Sequence, residues 1–128
     1  MIDTVGEWDR IVRERDGTTL AGLLAEDVVF HSPVVHTPQR GRPIVMKILA
    51  AAVEVLGNPT FRYVREFRGT DEVVLEFDVT IDGIEVNGVD MIRWDASGRI
   101  VDFKVLLRPL QAINLIHRRM AERLQPPR

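Results

Sequence analysis

The chain has no cysteine among its 128 residues. Disulfides, thiolate metal sites and thiol nucleophiles are therefore excluded, and a reducing cytoplasm is the expected setting. Aromatic residues are sparse, at 6%, with one tyrosine and two tryptophans. Neither sign of charge dominates: 17 basic and 19 acidic residues leave a formal charge of −2. Without a basic stripe or interleaved exposed aromatics, nucleic acid is not an expected partner, and neither is a membrane surface. No apolar run approaches the roughly 18 residues of a spanning helix. Met1-Ile2-Asp3-Thr4 carries no basic segment leading into an apolar core, so no signal peptide is expected. Phosphate loop, nucleophile elbow, paired-histidine zinc motif, calcium loop, internal repeat and low-complexity tract are all missing. His31 and His36 stand five apart across a proline, a spacing that fits no standard metal site, so neither metal nor cofactor is expected.

What is present is alternation. A length of 128 residues with 45% apolar content suits one domain, residues 1–128. In Val74–Ile81, Leu75, Phe77, Val79 and Ile81 share one face, and Glu76, Asp78 and Thr80 the other, which is the period of a half-buried strand. Asp82-Gly83 is a strong hairpin signal. A two-residue turn there sets Ile81 opposite Ile84, Phe77 opposite Gly88 and Leu75 opposite Asp90. A second turn at Asp95-Ala96-Ser97-Gly98, with Trp94 opposite Arg99, sets Asp90 opposite Phe103. Both turns put the Asp90 carboxylate on the apolar face, and a one-residue slip in either would reverse that. A carboxylate among apolar neighbours is costly unless paired or protonated, and burial raises its pKa. Asp90 is accordingly the leading candidate for chemistry; the competing reading is a structural Asp satisfied by a backbone amide, a serine or an arginine.

The remaining elements follow from helical spacing and breakers. Ile2 to about Arg15 reads as an amphipathic helix with Val5, Trp8, Ile11 and Val12 on one face. A short helix is expected from Leu20 to Ala25, a strand from Val28 to Ser32, and a loop from Pro33 to Gly41. The helix opened by Pro43 runs to about Leu56 and is apolar nearly all round, so it should be the most buried one. In the strand Phe61–Arg68, Phe61, Tyr63, Arg65 and Phe67 should share a face. Pro109 opens a last helix with Leu110, Ile113, Ile116, His117, Met120 and Leu124 on one stripe, and Gln125–Arg128 forms a tail. Helices first and long antiparallel strands last make an α+β protein, with helices covering one face of a curved antiparallel sheet. The other face mixes Glu76, Asp78 and Lys104 with Val64, Val89, Met91 and Leu106, a mixture that suits a homodimer interface.

The chain resembles the nuclear transport factor 2-like superfamily, in its SnoaL-like and ketosteroid isomerase-like branch. The likeness is sharpest at Val89–Asp95 with Gly98–Val101, and is visible at Ala25–Pro33 and at Gly41. It implies a cone-shaped fold with an apolar pocket. It also implies that Asp90 matches the pocket acid of ketosteroid isomerases, which stays protonated and donates a hydrogen bond to a developing enolate; that enzyme is a standing example of a carboxyl group kept neutral by its site. Two other parts of the pattern are replaced. The isomerase's Asp before a Pro is Ser32 here, and its first-helix tyrosine falls at about Trp8, which counts against steroid isomerisation by that mechanism. The resemblance therefore leaves two readings. One is a small-molecule isomerase, cyclase or hydratase acting on an apolar carbonyl compound, with Asp90 as acid, His36 as proton shuttle and Trp8 and Ser32 positioning the substrate. The other is a non-catalytic ligand-binding or dimerisation module. Phe30, Phe77, Phe103 and Leu107 are core residues first, and candidates to line the pocket second.

Overall fold

The structure is a computed structural model that describes residues 2–125. Helix α1 (Thr4–Glu14) is capped by the Asp3 carboxylate, which accepts from the Gly6 N–H, and ends where Arg15 turns left-handed. A short 3₁₀ turn (Gly17–Thr19) leads into α2 (Leu20–Leu23), then β1 (Leu24–His31) and β2 (Gln39–Arg40). Helix α3 is Arg42–Leu56. Strands β3 (Arg62–Arg68), β4 (Glu72–Ile81), β5 (Ile84–Trp94) and β6 (Ile100–Arg108) precede α4 (Leu110–Leu124). The six strands form one curved, open sheet in the order β2-β1-β6-β5-β4-β3. The sheet is mixed rather than wholly antiparallel, because β1 runs parallel to β6. The second helix is shorter than expected: Leu24 already pairs with Ile100, so the chain enters the sheet before Ala25. Of the expected tail, residues 126–128 lie outside the described part.

The β4–β5 hairpin has the expected register throughout, Leu75 opposite Asp90 and Phe77 opposite Gly88. Asp82 and Gly83 both take positive φ, as a tight turn with the strand's own twist requires. The β5–β6 hairpin differs. Trp94 pairs with Ile100, a bulge at Val101 adds a further residue, and Asp90 faces Val105 rather than Phe103. The total shift is two residues, so the face of Asp90 is preserved although its neighbour changes. A second bulge, at Val64, breaks the expected alternation of β3. Tyr63 pairs with Phe77 on the inner face, whereas Arg65 pairs with Glu76 on the outer one, and Phe67 is left 62% exposed.

The core lies between the inner sheet face and the helices. One cluster joins Trp8, Ile11, Val28, Leu49, Ile92 and Phe103; a second joins Phe77, Val79 and Val86 to Ala112, Leu115 and Ile116 of α4. Helix α3 is not buried all round. Val45, Leu49 and Val53 enter the core, while Ile44, Ile48 and Ala52 face a cavity, which explains its lack of a polar side. On α4, Leu110 is 71% exposed, and Ala112 and Leu115 take the inward positions instead.

Gly88 has a packing reason. A Cβ there would lie 2.5 Å from Phe77 Cζ and 2.7 Å from Leu107 Cδ2. The bare backbone lets the Phe77 ring lie against β5, where Tyr63 meets it edge-on at 6.3 Å between centroids. Gly88→Ala should cost about 1–3 kcal/mol, the usual penalty for overpacking, measured by urea unfolding. An unchanged midpoint would mean that Phe77 can shift freely.

Candidate active site

A cavity of about 740 Å³ opens between α3, α4 and the inner face of the sheet. Its size is within the roughly 300–1,000 Å³ of small-molecule sites. Asp90 reaches it from the middle of β5, where strand alternation turns the side chain inward, and is only 6% exposed. Tyr63, held inward by β3, donates its hydroxyl to Asp90 Oδ2 at 2.6 Å. The indole N–H of Trp8, on α1, donates to the Tyr63 oxygen at 2.8 Å. Tyr63 thus engages Oδ2 of the Asp90 carboxyl group and stands between it and Trp8.

Burial raises the Asp90 carboxyl from its ordinary 3.8 to about 7, against the downward pull of the Tyr63 hydroxyl and the Trp8 indole N–H. Tyr63 itself is driven well above the phenol range, first by burial and then by the neighbouring Asp90 charge, so it stays a neutral donor. A carboxyl group poised near neutrality can both take and return a proton at ordinary pH.

The cavity brings together Trp8, Phe30, Ser32, Asp90, Phe103 and Leu107, all singled out from the sequence. Phe77 is not among the lining residues; it is fully buried behind the wall, where Phe61 stacks on it at 5.2 Å. His36 does not line the cavity either, and stands exposed in the loop. The cause is local. Ser32 Oγ accepts from the Val34 and Val35 N–H groups at 3.0 and 3.2 Å, and the resulting turn sends the two valines to the cavity and His36 to solvent. Ser32 thus spends its acceptor on the backbone and keeps only its hydroxyl hydrogen for a ligand. His31 points to the outer face, with Nε2 2.9 Å from Asp102 Oδ1. Among the described residues no group of three or more histidine, aspartate or glutamate side chains is placed to hold a metal. No helix among them is long and apolar enough to cross a membrane.

Tyr63 is the chief residue that sequence reasoning missed, with Lys47 and His117 of the lining. Its signal was available in part. It is the sole tyrosine, and it shares the inward phase of Phe61. Its nearness to Asp90 depends on the bulge at Val64, which sets Tyr63 opposite Phe77 although the short turn at Gly69–Asp71 already joins β3 to β4.

Fold and cavity together define a nuclear transport factor 2-like α+β protein. Within that class the chain belongs to the SnoaL-like domain family, whose model matches residues 5–103. It is similar to a steroid delta-isomerase from Pseudomonas aeruginosa, at 39% identity over 94% of this chain and 88% of that one, with a TM-score of 0.89. It is also similar to a bacterial protein with a cystatin-like fold from Silicibacter pomeroyi, at 30% identity over 96% and 86%, with a TM-score of 0.87. It shares the fold of SalBIII, an epoxide hydrolase/cyclase-like enzyme of pyran ring formation in salinomycin, at 20% identity over 83% and 88% and a TM-score of 0.66. No curated protein matches the chain in sequence.

Proposed function

We propose that this protein is an acid–base enzyme of the isomerase or cyclase kind, acting without a cofactor on an apolar carbonyl compound, with Asp90 carrying the proton. The observation that carries the reading is a single carboxyl group, poised at about 7, in a largely apolar cavity. The likeness to a steroid delta-isomerase supports the reaction class. As a carboxylate, Asp90 removes a proton from the carbon next to the carbonyl, leaving an enolate and a neutral acid. Returned to a different carbon, that proton completes an isomerisation. In a cyclisation the enolate carbon attacks a second carbonyl, and the proton goes to the new alkoxide. Tyr63, backed by Trp8, holds Oδ2. His36 has no part in this scheme, because it stands outside the cavity.

The test is deuterium exchange. With a panel of apolar ketones in D₂O, the protein should catalyse exchange at the α-carbon, followed by NMR, whether or not net product forms. Ketones that bind without exchange would favour the second reading, a ligand-binding module. The observation on its side is Ser32 standing where the isomerase pattern has its Asp.

We further infer a homodimer, formed on the outer sheet face in the cytoplasm. Val64, Phe67, Met91 and Leu106 are all exposed there, Leu106 to 51%. They flank a polar cluster in which Asn87 bonds Glu76, Asp78 and Arg108. Sedimentation velocity at micromolar concentration should show a dimer, and Leu106→Asp should shift it to monomer. A monomeric parent would sink the inference.

A further inference from the structure

The ionisable groups of the cavity are sorted by depth. Asp90 is buried and Tyr63 partly buried at its floor; among the described residues the other two, Lys47 and His117, are both basic and both exposed, which places them at the mouth. Lys47 is the one charged residue that α3 turns to the cavity, between Ile44 and Ile48. Neither Lys47 nor His117 forms an ion pair among the described residues, although the neighbouring charges on the same helices do: Glu54 with Arg123, and Arg119 with Asp82. The apolar wall continues out to this mouth through Val35, 49% exposed, and Ile44, 42% exposed. Among the described residues no acidic side chain other than Asp90 lines the cavity.

We propose that the cavity takes an amphiphilic carboxylate, its apolar body inside, its carbonyl at Asp90 and its anionic end at the mouth beside Lys47 and His117. The proposal rests on reading the cavity as the site of an apolar carbonyl compound, and adds the charge of that compound. An anionic end left at the mouth keeps most of its hydration and avoids the cost of burying a charge. Lys47, a compact and hydrated point charge on a flexible stem, meets it there. The unpaired Lys47 charge beside an apolar opening also raises the local concentration of anions over neutral or cationic compounds of the same shape.

The experiment compares three probes with one tail, each below its micellar concentration: dodecanoate, dodecanol and dodecylammonium, by isothermal titration calorimetry at pH 8. Dodecanoate should bind roughly three- to tenfold tighter than dodecanol, as expected of a partly exposed ion pair, and dodecylammonium weakest. Lys47→Gln should bring dodecanoate close to dodecanol. Lys104→Gln, which removes the same charge from the outer face, should leave the preference intact. Raising the salt to 0.5 M should shrink it. Equal binding of dodecanoate and dodecanol, or a preference that survives Lys47→Gln, would overturn the proposal while leaving the cavity a ligand site. If no probe binds at all, and no ketone exchanges either, both readings fail together.

Discussion

Replacing Asp90 with Asn should make the protein more stable at pH 8 than the parent, while removing its proton-transfer activity. The sign comes from linkage. The folded carboxyl holds its proton to about 7, the unfolded one only to 3.8. Stability contributed by the neutral acid is complete below pH 3.8, declines as pH rises, and is gone above about 7. Asn has nearly the same shape, can accept the Tyr63 hydrogen bond, and never ionises. The variant should therefore match the parent near pH 4 and exceed it by up to roughly 4 kcal/mol at pH 8. Urea unfolding at the two pH values measures this directly. In the exchange assay the same variant should lose about 10²- to 10⁴-fold, the usual worth of a positioned acid or base. A variant less stable than the parent at pH 8 would show the carboxylate to be well satisfied by Tyr63 and Trp8, and its pKa to be ordinary. Such a group would have no claim to the chemistry.

That this residue was identifiable from sequence, and its partner was not, has a physical cause. Strand side chains alternate with period two, so any register error of an even number of residues keeps the face. The β5–β6 hairpin illustrates the point: a longer turn and a bulge at Val101 each add one residue, and Asp90 still points inward. In β3 a single bulge at Val64 changes the phase, and nothing in Tyr63-Val64-Arg65, which has neither Gly nor Pro, announces it. The inward face of Tyr63 was legible; its bond to Asp90 was not, since the bulge at Val64 decides which β4 residue Tyr63 meets. The place of His36, outside the cavity lining, was not legible for a different reason. A loop has no periodicity to fix a side chain's direction, and here the Ser32 turn set Val34 and Val35 against the cavity and left His36 in solvent. Helix α3 misled because apolar residues all round a helix can mean a core face plus a cavity face, and composition cannot separate the two.

Tyr63→Phe should move the pH dependence of exchange upward by roughly one to two pH units, since a hydrogen bond to a charged group is worth about 1.5–3 kcal/mol. The Tyr63 hydroxyl stabilises the carboxylate and holds the Asp90 pKa down. Without it, burial acts with less opposition, and the midpoint should climb from about 7. The direction of the midpoint is the same whichever role Asp90 plays, but the limb it moves differs. If the carboxylate is the base, exchange rises with pH through the midpoint, and the variant loses activity at pH 7. If the neutral acid is the active form, exchange falls with pH through the midpoint, and the variant retains activity to higher pH than the parent. Phe keeps the ring packed against Phe61 and Phe77, so a shifted profile would not be a packing effect. One pH–rate series on the parent and this variant therefore tests whether Tyr63 tunes Asp90, and decides whether the carboxyl group begins the reaction by taking a proton or by giving one. An unmoved midpoint would reduce the Trp8–Tyr63–Asp90 chain to a structural link.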